Sequence, residues 1–310
     1  MIGIKGIASY IPEFSLDNLS RISDFGETEE FLTKKIGALK LPRMNNVYET
    51  SDMAVEAITR LFSASQSLNR EDVDVLVVVT QNGDGEGLPH TAAIVQKKLG
   101  LEKTVAAFDI SLGCSGYVYG LHILKGFMES AGLKNGILVT ADPYSKVVDP
   151  NDKNTSLLFG DAATATWLGE SPVWLIGPAL FGTDGEGAEA LKKSNARLAM
   201  NGRQVFDFAA KSVAPHIKAL LKKVDAEEGD IDAFCLHQGS YAIVDAISRR
   251  FKDSQSKFIK DMAETGNTVS SSIPLLLQKH VLGTSTKKVV ISGFGVGFSW
   301  GTALLIRSDD

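Results

Sequence analysis

Residues 71–81 read EDVDVLVVVTQ, and residues 229–238 read GDIDAFCLHQ. Each stretch starts acidic and continues as unbroken apolar sequence between polar ends, the pattern of a strand covered on both faces. The segments downstream of the two runs also correspond. Residues 91–99 and the stretch GSYAIVDAISRRF after Gln238 read as helices. TVAAFDISLGCSGYVYGL, from Thr104, is matched by KFIKDMAETGNTVSSSIPLLL, from Lys257, so Asn267 falls where Cys114 falls. NGILVTADP is matched by KKVVISGFG, and ATATWLG by GTALLIRS. Buried strands alternating with helices in two matched sets predict a duplicated α/β unit with helices on both sides of its sheets. The halves divide at residues 1–170 and 171–310. Further out, residues 2–11 read as a first strand and residues 28–36 and 51–63 as helices. Residues 187–210 read as a less regular cap or substrate loop between the halves.

Composition narrows the function classes. A net charge of −5 over 310 residues, with no Lys/Arg-rich run, gives no footprint for nucleic acid or an anionic membrane surface. MIGIKGIASYIPEF lacks a long apolar core with a cleavage site, so it reads as a strand rather than a signal peptide. No window has the length of a membrane span. Two cysteines are too few for a disulfide framework, so a reducing, cytoplasmic location and free thiols are expected.

Cys114 stands where FDIS ends as a strand and Tyr117, Leu121 and Leu124 take up helical spacing. Unpaired N–H groups and the dipole of a helix N-terminus predict a stabilised, nucleophilic thiolate there. Gly113 and Gly116 keep room for an incoming carbonyl. A buried structural cysteine is the competing reading. His237 ends the second apolar run and Asn267 stands at the second strand-to-helix junction. Side chains at matched strand ends converge where open α/β sheets place their sites. A histidine helps generate a thiolate, and an asparagine donates a neutral hydrogen bond to a developing oxyanion. Taken singly, His237 reads better as a core histidine and Asn267 as a helix cap; their joint placement is what favours a shared site. The glycine-rich SGFGVGFSWG, Ser292–Gly301, joins two strands too near the C-terminus for a dinucleotide fingerprint. It is either a tight packed turn or a loop aiming an N–H at a substrate carbonyl. Zinc fails for want of ligands: Cys235 and His237 are two apart, but the other histidines are scattered.

Together these motifs resemble the β-ketoacyl-acyl carrier protein synthase III family of the thiolase-like superfamily, over nearly the whole chain. The resemblance rests on DISLGCSGYVYGL, LLFGDAATA at 157, LHQGS at 236, GNTVSSSIPLLL at 266 and GFGVGFSWG at 293, in that order. It implies a five-layered αβαβα fold, a homodimer and catalytic Cys114, His237 and Asn267. It implies an acyl group on Cys114, condensed with a malonyl thioester by decarboxylation to give a 3-oxoacyl product. The main-chain N–H groups of Cys114 and Val296 would hold the acyl oxyanion, with no cofactor or metal. Acyl-coenzyme A, acyl carrier protein or both would be the thioester substrates, in fatty acid synthesis or a specialised polyketide, quinolone or surface-glycolipid pathway.

Some positions depart from the family pattern. Phe31 and Lys35 stand for the aromatic-arginine pair that holds adenine, and lysine lacks the planar guanidinium face. Ser240 replaces an asparagine, and the glycine triplet reads Gly295-Val296-Gly297, where a β-branched residue restricts the loop. Leu88 lies in a loop that, in this family, reaches the partner's site. Competing readings are acyl transfer from Cys114 to an oxygen or nitrogen nucleophile, thioester hydrolysis, and a non-catalytic partner in a heterodimer.

Overall fold

The computed structural model describes residues 1–45, 47–65 and 67–308. The first half runs β1 (Ile2–Tyr10), β2 (Ser15–Asp17), β3 (Lys40–Pro42), α1 (Thr50–Ala64), β4 (Val75–Val79), α2 (Thr91–Leu99) and β5 (Ala106–Ile110). It continues with α3 (Gly116–Ala131), β6 (Asn135–Ala141), the one-turn α4 (Lys153–Ser156) and β7 (Ala163–Glu170). The second half runs β8 (Trp174–Thr183), the hairpin β9 (Leu191–Ser194) and β10 (Arg197–Met200), α5 (Gly202–Lys223) and β11 (Ala233–Leu236). It ends with α6 (Tyr241–Ser248), α7 (Ser272–His280), β12 (Lys288–Gly295) and β13 (Ser299–Arg307).

Strand order carries the repeat. One hydrogen-bonded series runs β11-β12-β13-β8-β1-β7-β6-β4-β5, so from each outer edge inward the order is the same. The second half lacks one full strand: its counterpart of β5 is reduced to a bridge between Phe234 and Phe258. The two sets meet at only two residue pairs between β1 and β8. Alternation along each strand sets the layers. Val75, Val77 and Val79 of β4 join Cys235 of β11 and the inner faces of α3 and α7 in a central core. Leu76 and Val78 face the opposite way, into a cluster with α1 and α2. Phe234 and Leu236 do likewise with α5 and α6. Helices, sheet, α3 with α7, sheet and helices make the five layers.

Identical local chemistry recurs in the halves. Asp74 accepts hydrogen bonds from Lys134 N and Asn135 N at 2.8 Å, clamping β4 to β6. Asp232 accepts from Lys287 N and Lys288 N at 2.8 and 2.9 Å, clamping β11 to β12. The acidic openings of the two apolar runs are not strand. Asp72 closes a capping box with Asn69, and Asp230 closes one with Glu227, so each run starts as a 3-10 turn. The helix expected at residues 28–36 is a π-helical turn, Phe31–Ile36, ended by Gly37 in the left-handed region. Residues 187–210 hold a 3-10 turn, the β9-β10 hairpin and the start of α5. No helix among the described residues is long and apolar enough to cross a membrane.

Candidate active site

β5 delivers the chain to Cys114, and α3 begins two residues later. Gly116 lets α3 start against β4: a Cβ there would stand 2.4 Å from Val79 Cγ1. The end of β12 passes the other side of Cys114. A Cβ on Gly293 would be 2.6 Å from Cys114 O, and one on Gly295 would be 2.9 Å from both Cβ and Sγ of Cys114. Bare backbone at Gly293 and Gly295 is what allows the β12–β13 turn to reach the sulfur.

A cavity of about 270 Å³ contains Cys114, His237, Asn267 and Gly295 in its lining. The three side chains predicted from three distant stretches therefore share one site. All three residues are buried, at 4%, 2% and 4% exposure. Phe31, Lys35 and Ser240 also line the cavity and are partly or fully exposed, so they mark its outer end. Ser240 is in addition the N-cap of α6, its Oγ accepting from Ile243 N at 3.3 Å. Val296 approaches from behind, its Cγ1 3.1 Å from where a Gly113 Cβ would be. Gly297 packs on Ser299 and does not line the cavity. Leu88 lies outside it too, 86% exposed on the surface.

Burial decides the protonation states. The Cys114 thiol is pushed up to about 12, first by burial and then by the Asp142 carboxylate. The N–H groups of Cys114 and Val296 oppose that rise and lose. The stabilised resting thiolate expected from the helix N-terminus is thus corrected to a neutral thiol: desolvation of a buried anion outweighs a helix dipole. His237 is lowered to about 3, again by burial, with the Val269 carbonyl acting against it. At neutral pH the two side chains are therefore a thiol and a neutral imidazole. Asp142 itself is raised to about 7 by burial despite hydrogen bonds from Gln81 N and Asn82 Nδ2, and its Oδ2 has no partner among the described residues.

Asn267 is held across the two halves. Its N–H donates to Leu158 O at 2.9 Å and its carbonyl accepts from Gly160 N at 3.1 Å. That is the work of the LLFGDAATA stretch. Val269 N–H donates to Asn267 Oδ1 at 2.9 Å, which commits the oxygen and turns the amide NH₂ into the site. His237 Nδ1 lies 2.8 Å from Ser272 Oγ, whose hydroxyl donates to Val269 O at 3.0 Å. Val269 has φ of +54°, unusual for a β-branched residue and worth about 1–3 kcal/mol of strain. Phe294 packs edge-on to His237, with centroids 5.5 Å apart. Nothing in the local sequence marks Val269, Ser272, Phe294 or Asp142 as belonging to the site. Lys153 also lines the cavity, bonded to Glu27 at 2.6 Å and 6.0 Å from the Phe31 ring. A cation beside the predicted aromatic is the one signal that points to it.

Residues 108–196 match the family model of 3-oxoacyl-[acyl-carrier-protein] synthase III, and residues 221–307 match its C-terminal model. A beta-ketoacyl-[acyl-carrier-protein] synthase III of Lactococcus lactis is 33% identical, over 97% of this chain and 98% of its own. The chain belongs to the 3-oxoacyl-acyl carrier protein synthase III family. It is accordingly an acyltransferase of the condensing class, with the thiolase-like fold. A Staphylococcus aureus synthase III is likewise 33% identical, over 97% of each chain. The crystal structure of the Thermus thermophilus synthase III superposes with a TM-score of 0.90 at 28% identity, covering 99% of this chain and 100% of that one. A priming β-ketosynthase of the R1128 polyketide pathway superposes at 0.88 with 26% identity, covering 99% and 96%.

Proposed function

We propose that this synthase III-family chain loads an acyl group onto Cys114 and condenses it with a malonyl thioester. The observation that carries the reading is the meeting of Cys114, neutral His237 and Asn267 in one buried cavity, with the N–H groups of Cys114 and Val296 at the sulfur. In the first step Sγ attacks the thioester carbonyl while His237 takes its proton. The carbonyl oxygen, becoming negative, is held by the two N–H groups. The donor C–S bond breaks, and the leaving thiolate departs with the proton. In the second step the malonyl carboxylate leaves as carbon dioxide, and the electron pair of that bond passes into an enolate. Asn267 Nδ2 and His237 hydrogen-bond the enolate oxygen. The enolate carbon then attacks the acyl carbon, and Cys114 is released.

Phe31, Lys35 and Lys153 at the outer end suit the adenine and phosphates of coenzyme A, so the first donor is read as acyl-coenzyme A. The malonyl donor is read as a carrier-protein thioester, and the process as fatty acid synthesis or a related specialised pathway. The working unit is read as a homodimer. β5 is the free edge of the sheet series, and Phe108 on it packs on half-exposed Phe127 of α3, beside exposed Ile123. A second copy paired there through β5 covers that surface and carries its Leu88 toward the neighbouring cavity. The test is intact and peptide mass after incubation with a panel of acyl-coenzyme A and acyl-carrier thioesters, with Cys114→Ala as control. An acyl adduct on Cys114 alone is expected. No adduct with any donor sinks the reading and leaves a non-catalytic partner.

A further inference from the structure

The hydrogen-bond inventory around His237 determines which of its nitrogens carries the proton. The Ser272 hydroxyl has one proton, and that proton goes to Val269 O at 3.0 Å. Toward His237 Nδ1, 2.8 Å away, Ser272 Oγ is therefore an acceptor. An acceptor facing Nδ1 requires an Nδ1–H. Among the described residues no side-chain hydrogen bond occupies Nε2, which is left to the cavity. Val269 makes this arrangement from a single residue, its N–H on Asn267 Oδ1 and its C=O on Ser272 Oγ. Both catalytic hydrogen-bonding groups are thus aimed by one backbone unit held at φ +54°.

We propose that Ser272 is a positioning residue that fixes His237 as its Nδ1–H tautomer, so that Nε2 alone exchanges protons with the reaction. The inference rests on the function proposed above and specifies how His237 serves both steps. In acylation the bare Nε2 takes the proton of Cys114 Sγ–H as the sulfur–carbon bond forms. It returns that proton to the leaving thiolate as the donor C–S bond breaks. For condensation, Nε2 takes up one proton from solvent, opposite the charge of the arriving malonyl carboxylate, and becomes a donor to the enolate oxygen. When the new carbon–carbon bond forms, that proton passes to the departing Cys114 sulfur and the starting tautomer is restored. The cycle consumes one solvent proton for each carbon dioxide released, as the overall reaction requires. Asn267 needs no proton exchange, since its NH₂ donates throughout.

Long-range proton–nitrogen correlation spectra of the 310-residue chain labelled with ¹⁵N-histidine read the tautomer at neutral pH, with His237→Ala assigning the signal among the five histidines. Wild type is expected to show an Nδ1–H, Nε2-bare ring. Ser272→Ala is expected to move His237 toward the Nε2–H form and to slow single-turnover acylation of Cys114 tenfold or more. Ser272→Thr, which keeps the hydroxyl, is expected to restore both readouts. An Nε2–H ring in wild type overturns the assignment, as does a Ser272→Ala protein with unchanged tautomer, whatever its rate. Should Ser272→Ala fail to fold, the wild-type and Ser272→Thr spectra decide alone. A wild-type protein with the expected tautomer but no acylation overturns the proposed function and leaves the tautomer assignment standing.

Discussion

Gly295→Ala is the substitution whose effect comes most directly from the geometry. The added Cβ would stand 2.9 Å from both Cβ and Sγ of Cys114, against about 3.4 Å where ordinary contact begins. A gap of roughly 0.5 Å must therefore open. Neither backbone can give freely, because Cys114 O already lies where a Cβ on neighbouring Gly293 would be, 2.6 Å away. The sulfur moves, or the turn carrying Val296 N–H does, and either breaks the register between Cys114 Sγ and the N–H groups of Cys114 and Val296. Overpacking of this kind costs about 1–3 kcal/mol. If that strain falls on the reacting geometry, it corresponds to roughly 5- to 150-fold in rate. The assay is single-turnover acylation of Cys114, quenched and read by mass, with melting temperature in parallel. Gly185→Ala is the control, since a Cβ there meets nothing within 4 Å. Acylation by Gly295→Ala within threefold of wild type refutes the reasoning.

Burial and charge set further outcomes. With its thiol near 12, Cys114 should be alkylated by iodoacetamide about tenfold faster per pH unit from pH 7 to 9; a plateau below pH 8.5 would restore the thiolate expected from the helix terminus. Asp142 binds its proton more tightly folded (about 7) than unfolded (3.8), so its stabilising contribution is complete below 3.8 and lost as pH rises through about 7. The difference is on the order of 4 kcal/mol. Asp142→Asn should flatten the fall in urea midpoint between pH 5 and 8; an unchanged profile assigns that fall elsewhere. Leu88→Trp should shift acyl chain-length preference in a dimer without altering the protomer's stability, because Leu88 is 86% exposed; unchanged preference in a verified dimer removes Leu88 from the partner's cavity.

Much of the fold is written locally. Val75–Val79 and Ala233–Leu236 are legible because both faces of each strand are buried, so the apolar run is continuous. The strand β8 is not legible: WLIGPALFGT carries a glycine and a proline in its middle, which local propensity counts against a strand. The third strand of the second half reads as present, yet only Phe258 pairs, because its matching sequence is charged on both sides. At the site, Cys114, His237 and Asn267 are legible by type and by repeat. What their environment does to them is not. The helix terminus at Cys114 is visible in sequence, whereas the burial against β12 and the charge of Asp142 that override it are folded in from elsewhere. Ser272 and Val269 are anonymous in a serine-rich stretch until the fold brings His237, thirty-five residues earlier, onto them.

The measurement that tests the central claim most directly is carbon dioxide release from a carboxyl-labelled malonyl thioester, with product mass read in the same reaction. Acyl-loaded protein should release one equivalent of label for each acyl group lost from Cys114 and yield the 3-oxoacyl thioester, while Cys114→Ala yields none of that product. Loss of the acyl group with the label retained on the malonyl thioester would contradict condensation and point to transfer onto oxygen, nitrogen or water.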